Sequence, residues 1–136
     1  MIQVLLVDDH QIVIDGIRMM LSSEADIACS GSANDGQSAM EQLAKKAVDV
    51  VLLDINMPGT DGVETCKNIR KTYPNIKILV LSMLGETSVI RLMLKNGANG
   101  YLLKNAGKEE VIKAIRTLYA GERFFDQAWP TSCCRT

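Results

Sequence analysis

Four short apolar runs of the sequence each end in polar side chains that could take part in chemistry. They end at the acid pair Asp8-Asp9, at Asp54, at Ser82 and at Lys104. Three carboxylates held together repel one another, and a hard divalent cation such as Mg²⁺ removes that conflict. A carboxylate beside a cation and an amine can attack a phosphoryl group, because both neutralise charge on its oxygens. We expect the three acids and a backbone carbonyl after Asp54 to bind Mg²⁺, and Ser82 to hydrogen-bond the phosphate.

These side chains can meet only if the runs are neighbouring strands of one sheet. The predicted strands cover residues 2–7, 26–31, 48–53, 76–81 and 98–103. Helical spacing of apolar residues predicts helices over about 10–23, 35–47, 62–72, 86–95 and 108–119. This alternation requires a mostly parallel sheet with right-handed crossovers. We predict an α/β, flavodoxin-like (βα)5 three-layer sandwich with strand order 2-1-3-4-5, in which strands one, three, four and five end side by side.

Each polar residue taken alone has an ordinary structural explanation. Asp8 or Asp9 could cap the first helix, and Ser82 could cap a turn. Core packing does not ask for polar residues of these types at four strand ends, so the set favours a shared site. His10, the only histidine, fits the start of the first helix or the rim better than a Mg²⁺ site, which prefers oxygen.

Apolar spacing also predicts the buried face of each helix. In the fourth helix we expect Val89, Leu92 and Met93 to point inward. In the last helix the predicted inner stripe is Val111, Ile112, Ile115, Leu118 and Tyr119. Cys29 and Cys66 are predicted as small core residues, and Cys133 and Cys134 as tail residues rather than a disulfide or zinc framework.

Length and composition narrow the class of protein. The chain has 136 residues, 47% of them hydrophobic, and a net charge of -1. It can form one compact domain, and its charge gives no reason to expect nucleic-acid binding by this segment. Without a signal peptide or an apolar run near the roughly 20 residues that span a bilayer, we expect a cytoplasmic protein with no membrane contact. We assign residues 1–122 to the domain. Residues 123–136 are either the start of a linker or residues acquired from cloning.

These residues resemble the receiver domain of two-component response regulators over about residues 2–122. The phosphoacceptor motif is the segment Asp54–Gly62, and the lysine ends the segment Gly100–Lys104. The segments 7–10, 15–17 and 81–83 are similar to the NarL/FixJ subfamily. Members of that subfamily usually carry a C-terminal helix-turn-helix DNA-binding domain, so the resemblance implies that DNA is contacted only through a domain absent from this chain.

The resemblance implies a regulatory domain that takes up and loses its own phosphoryl group and is not otherwise an enzyme. Asp54 would accept phosphate from a phosphohistidine of a sensor histidine kinase, and Lys104 would assist. The Asn56 backbone carbonyl would complete the Mg²⁺ site. Ser82 and Tyr101 would form a switch pair that changes the surface of helix 4, strand 5 and helix 5. Apart from the resemblance, the solvent face of helix 5, alone or together with helix 1, is a candidate surface for a homodimer.

Two positions depart from the pattern common in the family. Asn105 follows Lys104 where many receivers have a proline after a cis bond, and a non-proline cis bond costs about 3 kcal/mol. Met83 replaces an alanine, and its larger side chain would narrow access to the phosphoryl group and slow its hydrolysis.

Two other functions are compatible with parts of the pattern. A haloacid-dehalogenase-like phosphatase also uses an aspartate nucleophile, a hydroxyl, a lysine and Mg²⁺. Its two acids follow strand one as Asp-x-Asp, whereas here Asp8 and Asp9 are adjacent and Asp54 ends strand three. A receiver that binds partners without phosphorylation would not need the complete set of acids, hydroxyl and amine.

Overall fold

The structure, a computed structural model, describes residues 1–56, 61–83 and 87–125. Within them the chain forms a parallel sheet whose strands are β1 (Ile2–Val7), β2 (Ile27–Ala33), β3 (Val50–Asp54), β4 (Lys77–Ser82), β5 (Gly100–Leu103) and β6 (Phe124–Phe125). The helices are α1 (Gln11–Ser22), α2 (Gly36–Lys45), α3 (Gly62–Thr72), α4 (Thr87–Lys95) and α5 (Lys108–Tyr119). The turn after Asn56, Glu86 and both tail cysteines lie outside the described residues.

The strand order is β2-β1-β3-β4-β5-β6, which confirms the predicted flavodoxin-like order. The described part of the chain forms six strands, one more than the five predicted. Phe124 and Phe125, in the segment assigned to the tail, pair with Gly100 and Tyr101 of β5. Gly100 permits this contact, because a Cβ there would collide with the carbonyl oxygen of Phe124. A two-residue strand is too short to produce a periodic pattern, so the sequence does not reveal it.

The core has two halves, one on each face of the sheet. One half lies under α2, α3 and α4, and the other lies under α1 and α5. Successive apolar residues of β1, β3 and β4 alternate between the two halves and are almost completely buried, as expected for strands covered on both sides. This arrangement is the predicted three-layer sandwich.

The prediction for the buried face of α4 was wrong in part. Met93 is buried as expected, but Val89 and Leu92 are exposed and Ile90 is buried instead. The helix carries apolar residues on both sides, so spacing alone does not choose its inner face, and packing against the sheet and α3 does. Tyr119, predicted on the inner stripe of α5, is also half exposed, because it lies at the last residue of that helix.

The C-terminal end of α4 is fastened to α3 by two side chains one helical turn apart. The Cys66 thiol donates to the carbonyls of Met93 and Asn96, and burial raises its pKa to about 11. The Arg70 guanidinium donates to the carbonyl of Gly97 at 3.1 and 2.8 Å, and to the side-chain oxygen of Asn99 at 2.7 Å. The carbonyls of Asn96 and Gly97 lie just past the last residue of α4, where a helix leaves carbonyl groups without an intrahelical donor. Cys29, in contrast, is only half-buried.

Residue 97 must be glycine for this arrangement. Its φ of +112° lies in the region that other residues rarely adopt, and a Cβ there would clash with the side chain of Arg70. The peptide bond between Lys104 and Asn105 is trans. No helix in the described segments is long and apolar enough to cross a bilayer.

Candidate functional site

Four strand ends bring the predicted site residues together. β1 and β3 are adjacent and parallel, and Val7 pairs with Leu53, so Asp8 lies next to Asp54. Leu103 pairs with Ser82 at the end of β4, which places Lys104 at the same edge. Asp54 and Ser82 are fully buried, and Asp8 is 2% exposed. The predicted convergence of polar groups at this edge is therefore present in the fold.

Asp54 is held by two donors. Lys104 Nζ lies 2.8 Å from Asp54 Oδ2, and the backbone N–H of Asn56 donates to Asp54 Oδ1 at 2.9 Å. The same ammonium lies 3.8 Å from Asp8 Oδ2, so one amine faces two buried carboxylates. A single ammonium cannot neutralise Asp8, Asp9 and Asp54 together, and the site retains excess negative charge.

The acid pair at the end of β1 contains oxygens with no hydrogen-bond donor. Asp8 Oδ2 and Asp9 Oδ1 are both buried and accept no hydrogen bond. Burial raises the pKa of the Asp8 carboxyl, and the nearby charge of Asp54 raises it as well; the hydrogen bond from the His10 backbone and the charge of Lys104 only partly offset this rise. Such oxygens are suited to a divalent cation, which removes the repulsion without protonation.

His10 contacts the acid pair, which sequence reasoning did not predict. It occupies the N-cap position of α1, as expected, and its backbone N–H donates to Asp8 Oδ1 at 2.8 Å. Its ring Nδ1 lies 3.2 Å from Asp8 Oδ1 and 3.0 Å from Asp9 Oδ1, although the geometry of the second contact does not make a hydrogen bond. One ligand atom from each of Asp8, Asp9, His10 and Asp54 lies within 4.8 Å of the others. The adjacency of His10 to the acids was the only sequence signal.

The two predicted switch residues lie deeper in the fold. The Ser82 hydroxyl donates to the Met83 carbonyl at 2.9 Å, so its hydrogen bond is directed along its own strand and not to Asp54. Tyr101 is 3% exposed and belongs to the core half beneath α2, α3 and α4. Tyr101 is therefore a core residue and not a half-buried aromatic at the surface of the strand.

Comparison with known proteins shows the family of this chain. The family model for the response regulator receiver domain matches residues 4–116. The response regulator UvrY of Escherichia coli K12 is 41% identical over 124 residues, which cover 91% of this chain and 57% of that protein. Similar curated relatives are covered over 51% to 60% of their length, so this chain spans little more than half of each.

Solved structures share the fold. The non-phosphorylated receiver domain of RcsB from Escherichia coli superposes with a TM-score of 0.86 at 29% identity, covering 93% of this chain and 98% of that one. A LuxR-family response regulator from Aurantimonas superposes with a TM-score of 0.83 at 30% identity, covering 90% and 87% of the two chains. The role of such a domain is regulatory rather than catalytic. The chain belongs to the response regulator receiver domains, in the NarL/FixJ group that its motifs predicted.

Proposed function

We propose that Asp54 is the phosphoacceptor of this receiver domain and takes its phosphoryl group from a phosphohistidine of a sensor histidine kinase. The observation that carries the proposal is the 2.8 Å ion pair between Lys104 and fully buried Asp54, next to one carboxylate oxygen each of Asp8 and Asp9 that accepts no hydrogen bond. Asp8, Asp9, Asp54 and the Asn56 backbone carbonyl would hold Mg²⁺. When bound, that ion supplies positive charge to the phosphoryl oxygens.

The transfer exchanges one bond to phosphorus for another. A carboxylate oxygen of Asp54 attacks the phosphorus, the P–N bond to the kinase imidazole breaks, and the imidazole nitrogen keeps the electron pair and takes up a proton. Lys104 is already 2.8 Å from the carboxylate, so its ammonium is in place to neutralise charge that develops on the phosphoryl group. Hydrolysis later returns the aspartate, which makes the domain a timed switch without an external substrate.

Ser82 and Tyr101 would convert the new charge into a change of surface. A phosphoryl group on Asp54 offers the Ser82 hydroxyl a charged acceptor, which makes a stronger hydrogen bond than the Met83 carbonyl does. Reorientation at the end of β4 would alter the packing of Tyr101 on neighbouring β5, and with it the surface formed by α4, β5 and α5. This is a shift between two populations of one domain.

The switched surface would control partners of the regulator. One such partner would be a DNA-binding helix-turn-helix domain. Two observations support this: a structure of RcsB contains dimers bound to DNA, and the curated relatives are longer than this chain. A homodimer would use α5, or α1 and α5 together. Arg116 of α5 donates to Glu24 and Asp26 beside α1, each at 2.8 Å, which joins these helices into one face.

Phosphorylation by acetyl phosphate with Mg²⁺ tests the proposal. Intact mass should show one added phosphoryl group in the wild type and none in Asp54→Asn. Asp15→Asn, which alters an exposed acid on α1, is the control and should be phosphorylated normally. Labelling of another residue in Asp54→Asn would overturn the assignment. Steady release of phosphate from many small phosphoesters would indicate a phosphatase instead.

A further inference from the structure

His10 places a nitrogen atom beside the acidic site. Its Nδ1 lies 3.0 Å from Asp9 Oδ1 and 3.2 Å from Asp8 Oδ1. One ring nitrogen of His10 and one carboxylate oxygen from each of Asp8, Asp9 and Asp54 all lie within 4.8 Å of one another. Half of the His10 side chain is exposed, so the ring stands at the mouth of the site, between solvent and the buried acids. The deeper acids, Asp8 and Asp54, form the floor.

These separations match those of neighbouring ligands on a single metal ion. Two adjacent ligand atoms of an octahedral ion, each bound at about 2.1 Å, are about 3.0 Å apart. Asp9 Oδ1 accepts no hydrogen bond despite its contact with the ring, and Asp8 Oδ2 also lacks a donor. An ion bound between the ring and the acids would replace the 3.2 Å hydrogen bond between His10 Nδ1 and Asp8 Oδ1. It would break no hydrogen bond to Asp9 Oδ1 or Asp8 Oδ2, because neither oxygen accepts one.

The added nitrogen changes which ions the site prefers. Mg²⁺ is a hard cation and binds through oxygen, whereas imidazole suits Zn²⁺, Ni²⁺ and Fe²⁺. We propose that His10 Nδ1 is a ligand in this pocket for a divalent transition-metal ion of that class, which shares the carboxylates of Asp8, Asp9 and Asp54 with Mg²⁺. The inference rests on the metal site of the proposed function. Because both ions need the same oxygens, they compete, and only the transition-metal ion uses His10.

Calorimetric titration with Ni²⁺ and with Mg²⁺ separates the two binding modes. The protein should carry Cys133→Ser and Cys134→Ser, so that the thiols of the tail do not bind the probe. His10→Asn keeps a residue favoured at a helix N-cap, and Gln11→Ala is the matched control on the same helix. We expect His10→Asn to weaken Ni²⁺ binding about tenfold or more, since loss of even an indirect partner costs 10–100-fold in affinity, and to leave Mg²⁺ binding unchanged.

Electron paramagnetic resonance with Cu²⁺ provides a structural readout. Cu²⁺ bound to the wild type should show nitrogen hyperfine coupling from an imidazole. Cu²⁺ bound to His10→Asn, which keeps the carboxylate of Asp54, should not show this coupling. Unchanged Ni²⁺ affinity in His10→Asn, an equal loss for both ions, or no nitrogen coupling in the wild type would overturn the role of His10.

Failure of this inference can be told apart from failure of the proposed function. If Mg²⁺ binds and Asp54 is phosphorylated while His10→Asn leaves Ni²⁺ binding unaffected, only the role of His10 is overturned. If neither ion binds and no phosphoryl group is added to Asp54, the proposed function fails together with the metal site on which the inference depends.

Discussion

Lys104 and Asp54 form an ion pair with an N–O distance of 2.8 Å, in which the lysine is 12% exposed and the aspartate is completely buried. Removing one member of a buried pair leaves the other charge uncompensated, and the cost is typically about 3–5 kcal/mol. We expect Lys104→Met to lower the free energy of unfolding of the metal-free protein by about 3 kcal/mol in urea titrations.

A second lysine serves as the control for this prediction. Lys108 is half exposed, and its Nζ lies 4.0 Å from Glu24 Oε2, so Lys108→Met should change stability by less than about 1 kcal/mol. Adding Asp54→Asn to Lys104→Met should recover most of the lost stability, because the unpaired charge is gone. Equal effects of the two lysine substitutions would contradict the prediction.

The pH dependence of the free energy of unfolding should show that Asp8 ionises less readily in the folded protein than in the unfolded one. Burial, together with the charge of Asp54, raises the pKa of its carboxyl in the folded protein. The folded state then holds this proton more tightly than the unfolded state does. Protonated Asp8 therefore stabilises the folded state. This contribution is complete below the unfolded pKa of about 3.9 and is lost as the pH rises through the higher pKa of the folded state.

The measurement compares the wild type with Asp8→Asn in chelator over a series of pH values. Relative to the variant, the wild type should lose free energy of unfolding as the pH rises above about 4, because only it must ionise Asp8. Other titrating groups contribute equally to both proteins, so their effects cancel in the difference. One of them is Asp26, whose pKa is lowered by its hydrogen bond with Arg116 and whose effect on stability has the opposite sign. A wild type that gains stability over the variant with rising pH would refute the prediction.

Met83 should control how long the phosphorylated form lasts. It follows Ser82 at the end of β4, next to the strand that carries Asp54, and is 57% exposed. We expect Met83→Ala to admit water more readily and to shorten the lifetime at least twofold, equivalent to about 0.4 kcal/mol of barrier. Phosphate loss after removal of acetyl phosphate measures it. Met19→Ala, an exposed methionine on α1, is the control, and equal lifetimes of Met83→Ala and the wild type would dismiss the role.

Arg70 should stabilise the C-terminal end of α4. Its guanidinium donates to the carbonyls of Gly97 and Pro74 and to the side chain of Asn99. Hydrogen bonds from a charged group contribute about 1.5–3 kcal/mol, so Arg70→Ala should lower the free energy of unfolding by about 2 kcal/mol. Neighbouring exposed Lys71→Ala should cost less than about 0.5 kcal/mol.

A conservative substitution sharpens the test of Arg70. Lysine lacks the planar fork that reaches several acceptors at once, so Arg70→Lys should restore little of the lost stability. Full recovery with lysine would show that charge alone is sufficient and that the geometry of the guanidinium is unimportant.

The fold and the members of the site were predictable because both follow from local patterns. Apolar runs alternate with helical stripes, and a parallel sheet brings the ends of its strands to one edge. From that rule alone Asp8, Asp54 and Lys104 are expected to be neighbours, and the structure places Lys104 Nζ within 4 Å of a carboxylate oxygen of each acid.

The remaining features depend on contacts between distant parts of the chain. Arg70 meets Gly97 across 27 positions, and no local pattern announces that contact. The inner face of α4 is chosen by packing, because apolar residues lie on both sides of that helix. The Ser82 hydroxyl donates to the Met83 carbonyl in this structure. The proposed part of Ser82 in a switch concerns a second state, which a strand pattern does not describe.

The short strand β6 determines where the chain departs from the sheet. Phe125 is the register partner of Tyr101, so the backbone that continues from Phe125 starts directly beside the proposed switch aromatic. Any displacement of β5 would move β6 with it, because the two strands are paired through their main chains. If phosphorylation of Asp54 displaces β5 as proposed, the position of Phe125 changes as well, by a route that does not include the outer surface of α5.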